Sequence, residues 1–529
     1  MSVKQQSGLL RLFLFVLLTV VVMTGKTAVW AQSVAVPPPS LESFTTPFED
    51  PLHATPDHYL QYPANLFNGG TVDCITMDAI TQNNNAQLAE RKLLEYTHEK
   101  NEAGHPVLSL QLALDLALCH NPQMRITWSD IKLQASKIGQ ARAAYLPQLN
   151  ASFMPQSSTT ETKSYFLGMS LGTSTETVRS TSGNLGLSWR VFDFGIRSAT
   201  LESAYFQLAS ATHSQNETLQ KVMIEILQRY YDALTKKSQW LARIDTTGLA
   251  EQTLASAKRR LSNGAGSRND VLQAQSSLSK ARLEETRVYG EYQKAMASLV
   301  FTLGLPADTT VDLDSTLEQD MQAMLDEAFK TQQKNLVEQG LQEWLNQAKY
   351  AHPSIAAARS RWMSAQAEVR AVSAQGLPTV DFSANYYRNG RPTDRASSSG
   401  SAETSFAVTI NIPIFSGFDH TYRVRGAQAQ AERGRLEMEA VEQQVMLDII
   451  HTHADAQSAW RNLQEAEEFY ASAVLARESS QNQFEGGIVD ISQVIQAQGF
   501  LVDAQQQRIE AYAQWQIARM TLIVQSYSW

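Results

Sequence analysis

Phe406-Ala407-Val408-Thr409-Ile410-Asn411-Ile412-Pro413-Ile414-Phe415-Ser416-Gly417 carries an apolar residue at every second position, Phe406, Val408, Ile410, Ile412 and Ile414. Between them stand Ala407, Thr409 and Asn411. Strict period two is the mark of a strand with one apolar and one polar face. Upstream, Val380, Phe382, Ala384 and Tyr386 alternate with Asp381, Ser383 and Asn385, so a second strand is expected to pair with the first. Downstream, residues 418–484 hold no proline. At 1.5 Å per residue a helix of that length extends about 100 Å. Val441, Val445 and Ile449 keep three/four spacing along it, a seam suited to helices packed side by side.

The same grammar stands earlier in the chain. Ala351-His352-Pro353 opens an Ala-rich run ending at Gly376-Leu377-Pro378, and His120-Asn121-Pro122 opens one ending at Tyr145-Leu146-Pro147. Both landmarks are offset by 231 residues (122 to 353, 147 to 378). Trp189-Arg190-Val191-Phe192-Asp193-Phe194-Gly195 answers the Ile412–Gly417 junction. Asn263-Gly264 through Val271-Leu272-Gln273-Ala274-Gln275 answers Gly486-Gly487 through Val494-Ile495-Gln496-Ala497-Gln498. These later pairs share an offset of 223 (192 to 415, 274 to 497). Matching offsets at so many points mark an internal repeat.

Each copy reads alike. Proline disfavours helical geometry at the residue before it, so each Leu-Pro ends a helix. In the first copy Leu185, Leu187, Trp189 and Val191 alternate with Gly186, Ser188 and Arg190, while Leu149, Ala151 and Phe153 start the partner strand. Tyr165, Leu167, Met169 and Leu171 alternate again beyond a polar stretch. Residues 196–262 repeat the proline-free helix with Leu219, Met223, Ile226, Tyr230 and Leu234 as its seam, and helices over 268–303 and 489–526 complete the copies. The expected organisation is a first repeat over 107–304 (strands about 147–194), a connector over 305–340, and a second repeat over 341–529 (strands about 378–415).

Composition narrows the function classes. The chain has 529 residues, 43% hydrophobic and 18% charged, with a formal net charge of −9. It is neither disordered nor a polytopic helical membrane protein, and an acidic balance argues against nucleic acid as a partner. Residues 1–31 read as a signal peptide, with Lys4 and Arg11 before an apolar core and Val29-Trp30-Ala31 as the cleavage site. An uncleaved anchor is the alternative, but the core is short for a spanning helix. Residues 32–106 are expected to follow as an N-terminal segment of the exported chain. Export permits a disulfide between Cys74 and Cys119, the two cysteines of the chain; two buried thiols are the alternative.

After residue 31 no stretch of about 18 apolar residues appears, so insertion into a membrane must use strands. Four strands of about ten residues suit a transmembrane barrel, against the alternative of a soluble sandwich. Their lipid-facing residues are expected to be Leu185, Leu187, Trp189, Phe406, Val408, Ile410 and Ile412. Trp189, Tyr386 and Tyr387 are candidate interfacial anchors. Four strands cannot close a barrel of ordinary size, and open edges are not tolerated in lipid, so several chains must pool their strands.

The Asn-Pro run into Leu-Pro, the Phe-Asp/Ser…Gly junction, and the Gly turn before Val-Leu/Ile-x-Ala, each present twice, resemble the outer-membrane efflux protein family of TolC-like channels across about residues 107–526. The resemblance implies a fold that is mainly α with a transmembrane β-barrel part: a homotrimer with a 12-stranded barrel in the outer-membrane lipid, continued by an α-helical barrel. It implies a passive exit duct, without cofactor, coupled through a periplasmic adaptor protein to an inner-membrane ABC or proton-driven transporter. On the same resemblance residues 32–106 are an N-terminal periplasmic segment. Cys119-His120-Asn121-Pro122 is more similar to the type I protein secretion members than to the lipid-anchored drug-efflux ones.

The family's periplasmic entrance maps onto Asn269, Asp270, Phe484, Val489, Asp490, Gln493 and Gln496. Where well-known members carry a latch of Tyr and Arg and then two Asp, this chain has Phe484, Val489, Gln493 and Gln496, while Asp490 restores some negative charge. Asp270 and Asp490 suit helix N-terminal ends equally well.

Other signals carry less. His451 and His453 point to different helix faces, which makes a poor metal pair; a solvated surface is the expectation for both. Gly264-Ala265-Gly266-Ser267 lacks the Gly-Lys-Ser/Thr of a phosphate loop, and Cys119-His120 is no zinc signature. No constellation of catalytic residues emerges, so no enzyme is expected. The alternative function is an exported coiled-coil structural or interaction protein whose hairpins form a soluble cap.

Overall fold

The computed structural model describes residues 86–97, 104–167, 169–314, 340–390 and 401–526, all within the unit Thr55–Trp529. The expected signal peptide and Cys74 lie outside the described residues. In chain order the elements are α1 (Ala86–Thr97), β1 (Val107–Leu108), α2 (Leu110–His120), α3 (Pro122–Ala143), β2 (Gln148–Phe166), β3 (Met169–Phe192), α4 (Ile196–Ser262), α5 (Arg268–Thr302) and β4 (Asp312–Leu313). The second copy supplies α6 (Leu341–Ala351), α7 (Pro353–Ala374), β5 (Thr379–Gly390), β6 (Ser401–Asn411), α8 (Asp419–Glu485) and α9 (Ile491–Ser526).

The two long helices occupy the proline-free stretches, 67 residues each. The strands of the first copy are longer than period two indicates: β2 has 19 residues and β3 has 24. Most of the excess is Ser/Thr-rich and polar in both alternating sets, so it carries no alternation to read until Tyr165.

Strands β2, β3, β5 and β6 form one antiparallel sheet in that order. The helices beside it follow the same order, α3–α4–α7–α8, because each is joined in sequence to the strand it continues. Beyond that layer α4 turns its second half to α5 and α9. Hydrogen bonds mark the change: Ser203 and Ser210 meet α7, whereas Gln239, Arg243 and Thr253 meet α9.

The main core gathers where α2, α4, α5, α6, α8 and α9 meet, around Leu114, Met223, Ile226, Leu234, Leu299, Ile449 and Trp515, all almost fully buried. The parallel pair β1–β4 is pinned to it by Asp312, which holds the Lys237 ammonium at 2.8 Å and accepts from the Tyr292 hydroxyl at 3.3 Å. A second, smaller core lies apart at the far ends of α4, α5, α8 and α9. His453 packs inside the helix bundle rather than on its surface, 8% exposed; its face of α8 is the one α9 covers.

Equivalent helices are capped differently in the two copies. Asn121 caps α3 by accepting from the Gln123 N–H at 2.8 Å, while its amide donates to the Thr302 carbonyl at 3.2 Å. His352 caps α7 through Nδ1, which accepts from the Ser354 N–H at 3.3 Å, and only a neutral imidazole can do this. Burial pushes the His352 imidazole below its ordinary range, with Glu217 and Asp448 opposing and Lys221 assisting. The unfolded chain therefore binds the proton more tightly, and stability falls as pH drops below about 6.5, the unfolded value. A cap contributes about 1 kcal/mol. Melting of the detergent-solubilised protein between pH 7.5 and 5 should show this loss, and His352→Asn, copying the first repeat, should remove that component of the slope. An identical slope in the variant would assign the pH dependence to other groups.

Candidate functional site

Cross-strand pairing sorts the sheet into two faces. Leu149 lies opposite Leu187, which lies opposite Ala384, which lies opposite Phe406. The next apolar row is Ala151, Leu185 and Tyr386, and the row on the other side joins Trp189, Phe382 and Val408. After an irregularity between Arg190 and Phe192, the row Phe192, Val380 and Ile410 follows. In-register partners share a face, so the apolar residues make one continuous band.

The opposite face is polar, with rows such as Asn150, Gly186, Asn385 and Ser405. There Arg190 pairs with Asp381 at 2.9 Å. At Gly186 an added Cβ would sit 2.9 Å from the Asn385 side-chain oxygen, which would have to shift. The band is not covered within the chain: Phe406 is 72% exposed and Ile410 63%. An uncovered apolar band of this kind marks an interaction surface.

Between sheet and long helix the chain turns through two consecutive left-handed residues in both copies, Phe194-Gly195 and Gly417-Phe418. Phenylalanine and glycine have exchanged places. Phe192 stacks edge-on against Phe194 at 4.7 Å and Phe415 against Phe418 at 5.5 Å, so exposed aromatics rim the apolar band at this end.

Below Phe194 sits a buried ion pair, Asp193–Arg197, at 2.7 Å. Asp193 also accepts from the N–H groups of Gly195 and Arg197, each at 3.2 Å. The Arg197 guanidinium donates to the carbonyls of Arg190 and Val191 at 2.6 and 3.2 Å and lies 4.7 Å over the Tyr145 ring. Strand, short helix and long helix are thereby locked by one side chain. In the second copy the offset of 223 puts Ser416 and His420 at these positions. There the His420 imidazole packs so closely on Gly376 that a Cβ would collide with it.

At the far end the smaller core draws together Ala250, Leu254 and Ala257 of α4, Ala274 and Leu278 of α5, Phe484 of α8, and Ile491 and Val494 of α9. Both turns thus lie at one place. Asn269, Asp490, Gln493 and Gln496 line the outside there, whereas Phe484 and Val489 point into the small core. Phe484 is inward because Arg260 of the first copy covers it: the guanidinium lies 4.6 Å over the ring and donates to the Phe484 carbonyl. Arg260 also reaches the Ala265 carbonyl at 3.3 Å, tying one turn to the other. No local pattern signals this contact, since its partners stand 224 positions apart in different copies.

Asp270 accepts from the Ser267 N–H at 3.1 Å in a capping box at the start of α5. Asp490 accepts from the Ser492 N–H at 3.1 Å and from its hydroxyl, and these bonds hold its carboxyl below the usual range. Both carboxylates therefore cap helices. Neither use prevents them from presenting charge to solvent.

Among the described residues no three of His, Cys, Asp and Glu gather as a metal-holding group, and no helix is long and apolar enough to cross a membrane. Cys119 is half-buried against the main core.

The family model described as outer membrane efflux protein matches residues 113–305 and 344–524. Protein CyaE of Bordetella pertussis is 29% identical over 79% of this chain and 83% of its own length. Outer membrane efflux protein BepC of Brucella suis is 22% identical over 75% of this chain and 81% of its own. In fold the chain is similar to the Neisseria gonorrhoeae MtrE outer membrane channel (TM-score 0.63, 16% identity, 79% of this chain and 88% of that one). It is likewise similar to the Vibrio cholerae outer membrane protein VceC (TM-score 0.62, 18% identity, 79% and 96%).

Proposed function

The chain belongs to the outer membrane efflux protein family, and on that footing we propose that it is the outer-membrane exit duct of a tripartite export system. The observation that carries the proposal is the matching order of strands and helices. Sheet and helix layer end in the same way, with β2 and α3 on one flank and β6 and α8 on the other. An open strand edge in lipid is not tolerated, so β2 of one copy pairs with β6 of the next while α3 meets α8. Ile126 and Leu133 on α3 and Leu436, Leu447 and Ile450 on α8 are exposed in the single chain and become buried by the same operation. A head-to-tail interface that closes generates a ring.

Three copies give twelve strands. The apolar band faces lipid, the Arg190–Asp381 face lines the lumen, and the helices carry the tunnel about 100 Å into the periplasm. The clustered turns form its entrance and meet a periplasmic adaptor, behind which stands an inner-membrane transporter. Cys119-His120-Asn121-Pro122 supports polypeptide secretion over drug efflux as the duty. Cys74 and Cys119 form a disulfide on this view; thiol-specific labelling without reductant should then leave both unmodified, and two labelled thiols would contradict it.

Planar-bilayer recording tests the duct. Purified protein should insert as discrete cation-preferring conductances, because like charges gathered at a narrow mouth attract counter-ions. Asp270→Asn with Asp490→Asn removes both charges while keeping a side-chain oxygen to accept each capping bond, and should lower cation preference several-fold with little change in trimer melting. Protein that assembles in membranes yet never conducts would defeat the proposal, and unchanged selectivity in the variant would move the constriction away from these turns.

A further inference from the structure

Beyond the main core the helices lie in the order α5–α4–α9–α8, so α5 and α8 are the flanks of that layer. The layer beside the sheet also ends in α8, but its other flank is α3. In the proposed ring α8 therefore meets two helices of the next copy, α3 near the sheet and α5 near the turns. Each flank of the lower layer leaves a stripe uncovered, opposite the face it packs. On α5 the packed face holds Ala274, Leu278, Val288, Tyr292 and Leu299. Its other side runs through Leu272, Lys280, Leu283, Lys294 and Phe301, all exposed. On α8 the packed face holds Leu463, Ala466, Ala473 and Phe484, and the other side runs through Glu465, Glu468, Leu475 and Glu478, all exposed. Leu283 and Leu475 are each 67% exposed.

The two stripes carry opposite charge. From Ala440 onward α8 holds eight carboxylates and two arginines, whereas α5 holds five basic and four acidic residues. The acids of α5 are engaged inside the chain: Glu284 and Glu291 hold Arg287, Glu285 accepts from Thr247, and Asp270 caps the helix. Lys280 and Lys294 have no ion-pair partner among the described residues, and neither do Glu465, Glu468 and Glu478. Gly290 lies on the α5 stripe, where an added Cβ would meet nothing within 4 Å. Glycine weakens the interior of a helix, and its use there is the close approach of another backbone.

Contacts inside the chain fix which residues of the two flanks stand at one level. Between α5 and α4, Arg282 meets Glu251 and Glu285 meets Thr247, each at 2.7 Å. Between α4 and α9, Arg243 meets Gln506 and Thr253 meets Gln498. Between α9 and α8, Arg508 meets Glu467 at 2.7 Å. Followed across the layer, Leu283 is level with Ala250, Ala250 with Phe500, and Phe500 with Leu475. By the same steps, and within a residue, Lys280 is level with Glu478 and Lys294 with Glu465. Rotation about the axis of a closed ring changes no level. Resting on the trimer proposed above, we infer that α5 of one copy closes on α8 of the next through an ionic seam, Lys280 to Glu478 and Lys294 to Glu465, with Leu283 packed on Leu475 between them. The occupant of both stripes is thus a second copy of this chain. Complementary charge selects the partner flank and its register more than it adds stability.

Leu283→Cys with Leu475→Cys tests the seam in the full chain. Within one copy these positions lie on opposite flanks of four helices, about 24–30 Å apart at 8–10 Å between neighbouring axes, so a short bismaleimide can join them only between copies. Treated in detergent, the double variant should give covalent dimers and trimers on a denaturing gel, and either single variant should give none. Adding Lys280→Glu with Lys294→Glu should cut that yield at least fivefold, and adding Glu465→Lys with Glu478→Lys as well should restore it. Equal yields in all three backgrounds would overturn the ionic seam. Light scattering on the same preparations separates the two levels of inference. A trimeric mass with both introduced thiols open to a monofunctional maleimide but never cross-linked would overturn the seam alone and leave the stripes to a different protein. A monomeric mass would overturn the assembly on which the seam rests.

Discussion

Ile410→Arg is expected to abolish assembly into the outer membrane, with trimer recovered from membranes falling at least tenfold. Ile410 lies in the apolar row with Val380 and Phe192, on the strand at the flank of the sheet. An arginine facing lipid near the midplane costs about 2–4 kcal/mol per chain. A trimer presents the change three times, a sum comparable with the whole stability of many folded proteins. Asn411→Arg is the control: its partner is Thr379 and its side chain belongs to the polar face, where charge meets water. Recovery close to wild type is expected there. Equal losses from both substitutions would mean that the faces are assigned the wrong way round or that neither meets lipid.

Arg197→Met is expected to be the most damaging single change outside the band, lowering stability by about 3–5 kcal/mol, the usual consequence of leaving one charge of a buried pair without its partner. The Arg197 side chain is 12% exposed and that of Asp193 7%, so water cannot replace the lost guanidinium. The same change frees the carbonyls of Arg190 and Val191 at the foot of strand β3. Asp193→Ser with Arg197→His transplants the residues of the second copy and leaves no stranded charge. It should recover most of the loss in thermal melts of the detergent-solubilised protein. A double variant as unstable as Arg197→Met would show that packing over Tyr145, rather than charge, holds the junction.

Much of this could be read from the residues for physical reasons. A buried or lipid-facing strand must alternate, so Phe406, Val408 and Ile410 announced their face before any pairing was known, and the register aligned them with Ala384 and Leu187, Phe382 and Trp189, and Val380. The expectation for Ile412 and Ile414 is corrected, because the strand ends at Asn411, before Pro413. Proline cannot sit inside a long helix, so its absence from 196–262 marked a helix now seen as Ile196–Ser262. What stayed hidden had no periodic signature. The Ser/Thr stretch of β2 and β3 has no apolar alternation before Tyr165, so the full length of these strands was not legible. Arg260 over Phe484 joins residues distant in sequence and could be found only once two cores existed. Burial of His453 depended on which face of α8 the last helix covers.

The repeat aligned Asp193 with Ser416 and Arg197 with His420 through a constant offset of 223. It could not disclose that the first pair is a buried ion pair and the second a close contact against Gly376. Nor could one chain's residues declare how many copies close the ring. Strand count and lipid's intolerance of an open edge require only that more than one copy contribute; the number three is what the family resemblance implies.

The measurement that bears most directly on this assembly is the mass of the purified protein in detergent, by light scattering corrected for bound detergent. A closed duct of twelve strands requires a single species of three chains, somewhat below three times the 58.8 kDa of the full chain once the signal peptide is removed, stable to dilution. A monodisperse single chain that stays in solution without detergent would contradict it, because four strands then would have neither lipid to face nor neighbours to close their edges.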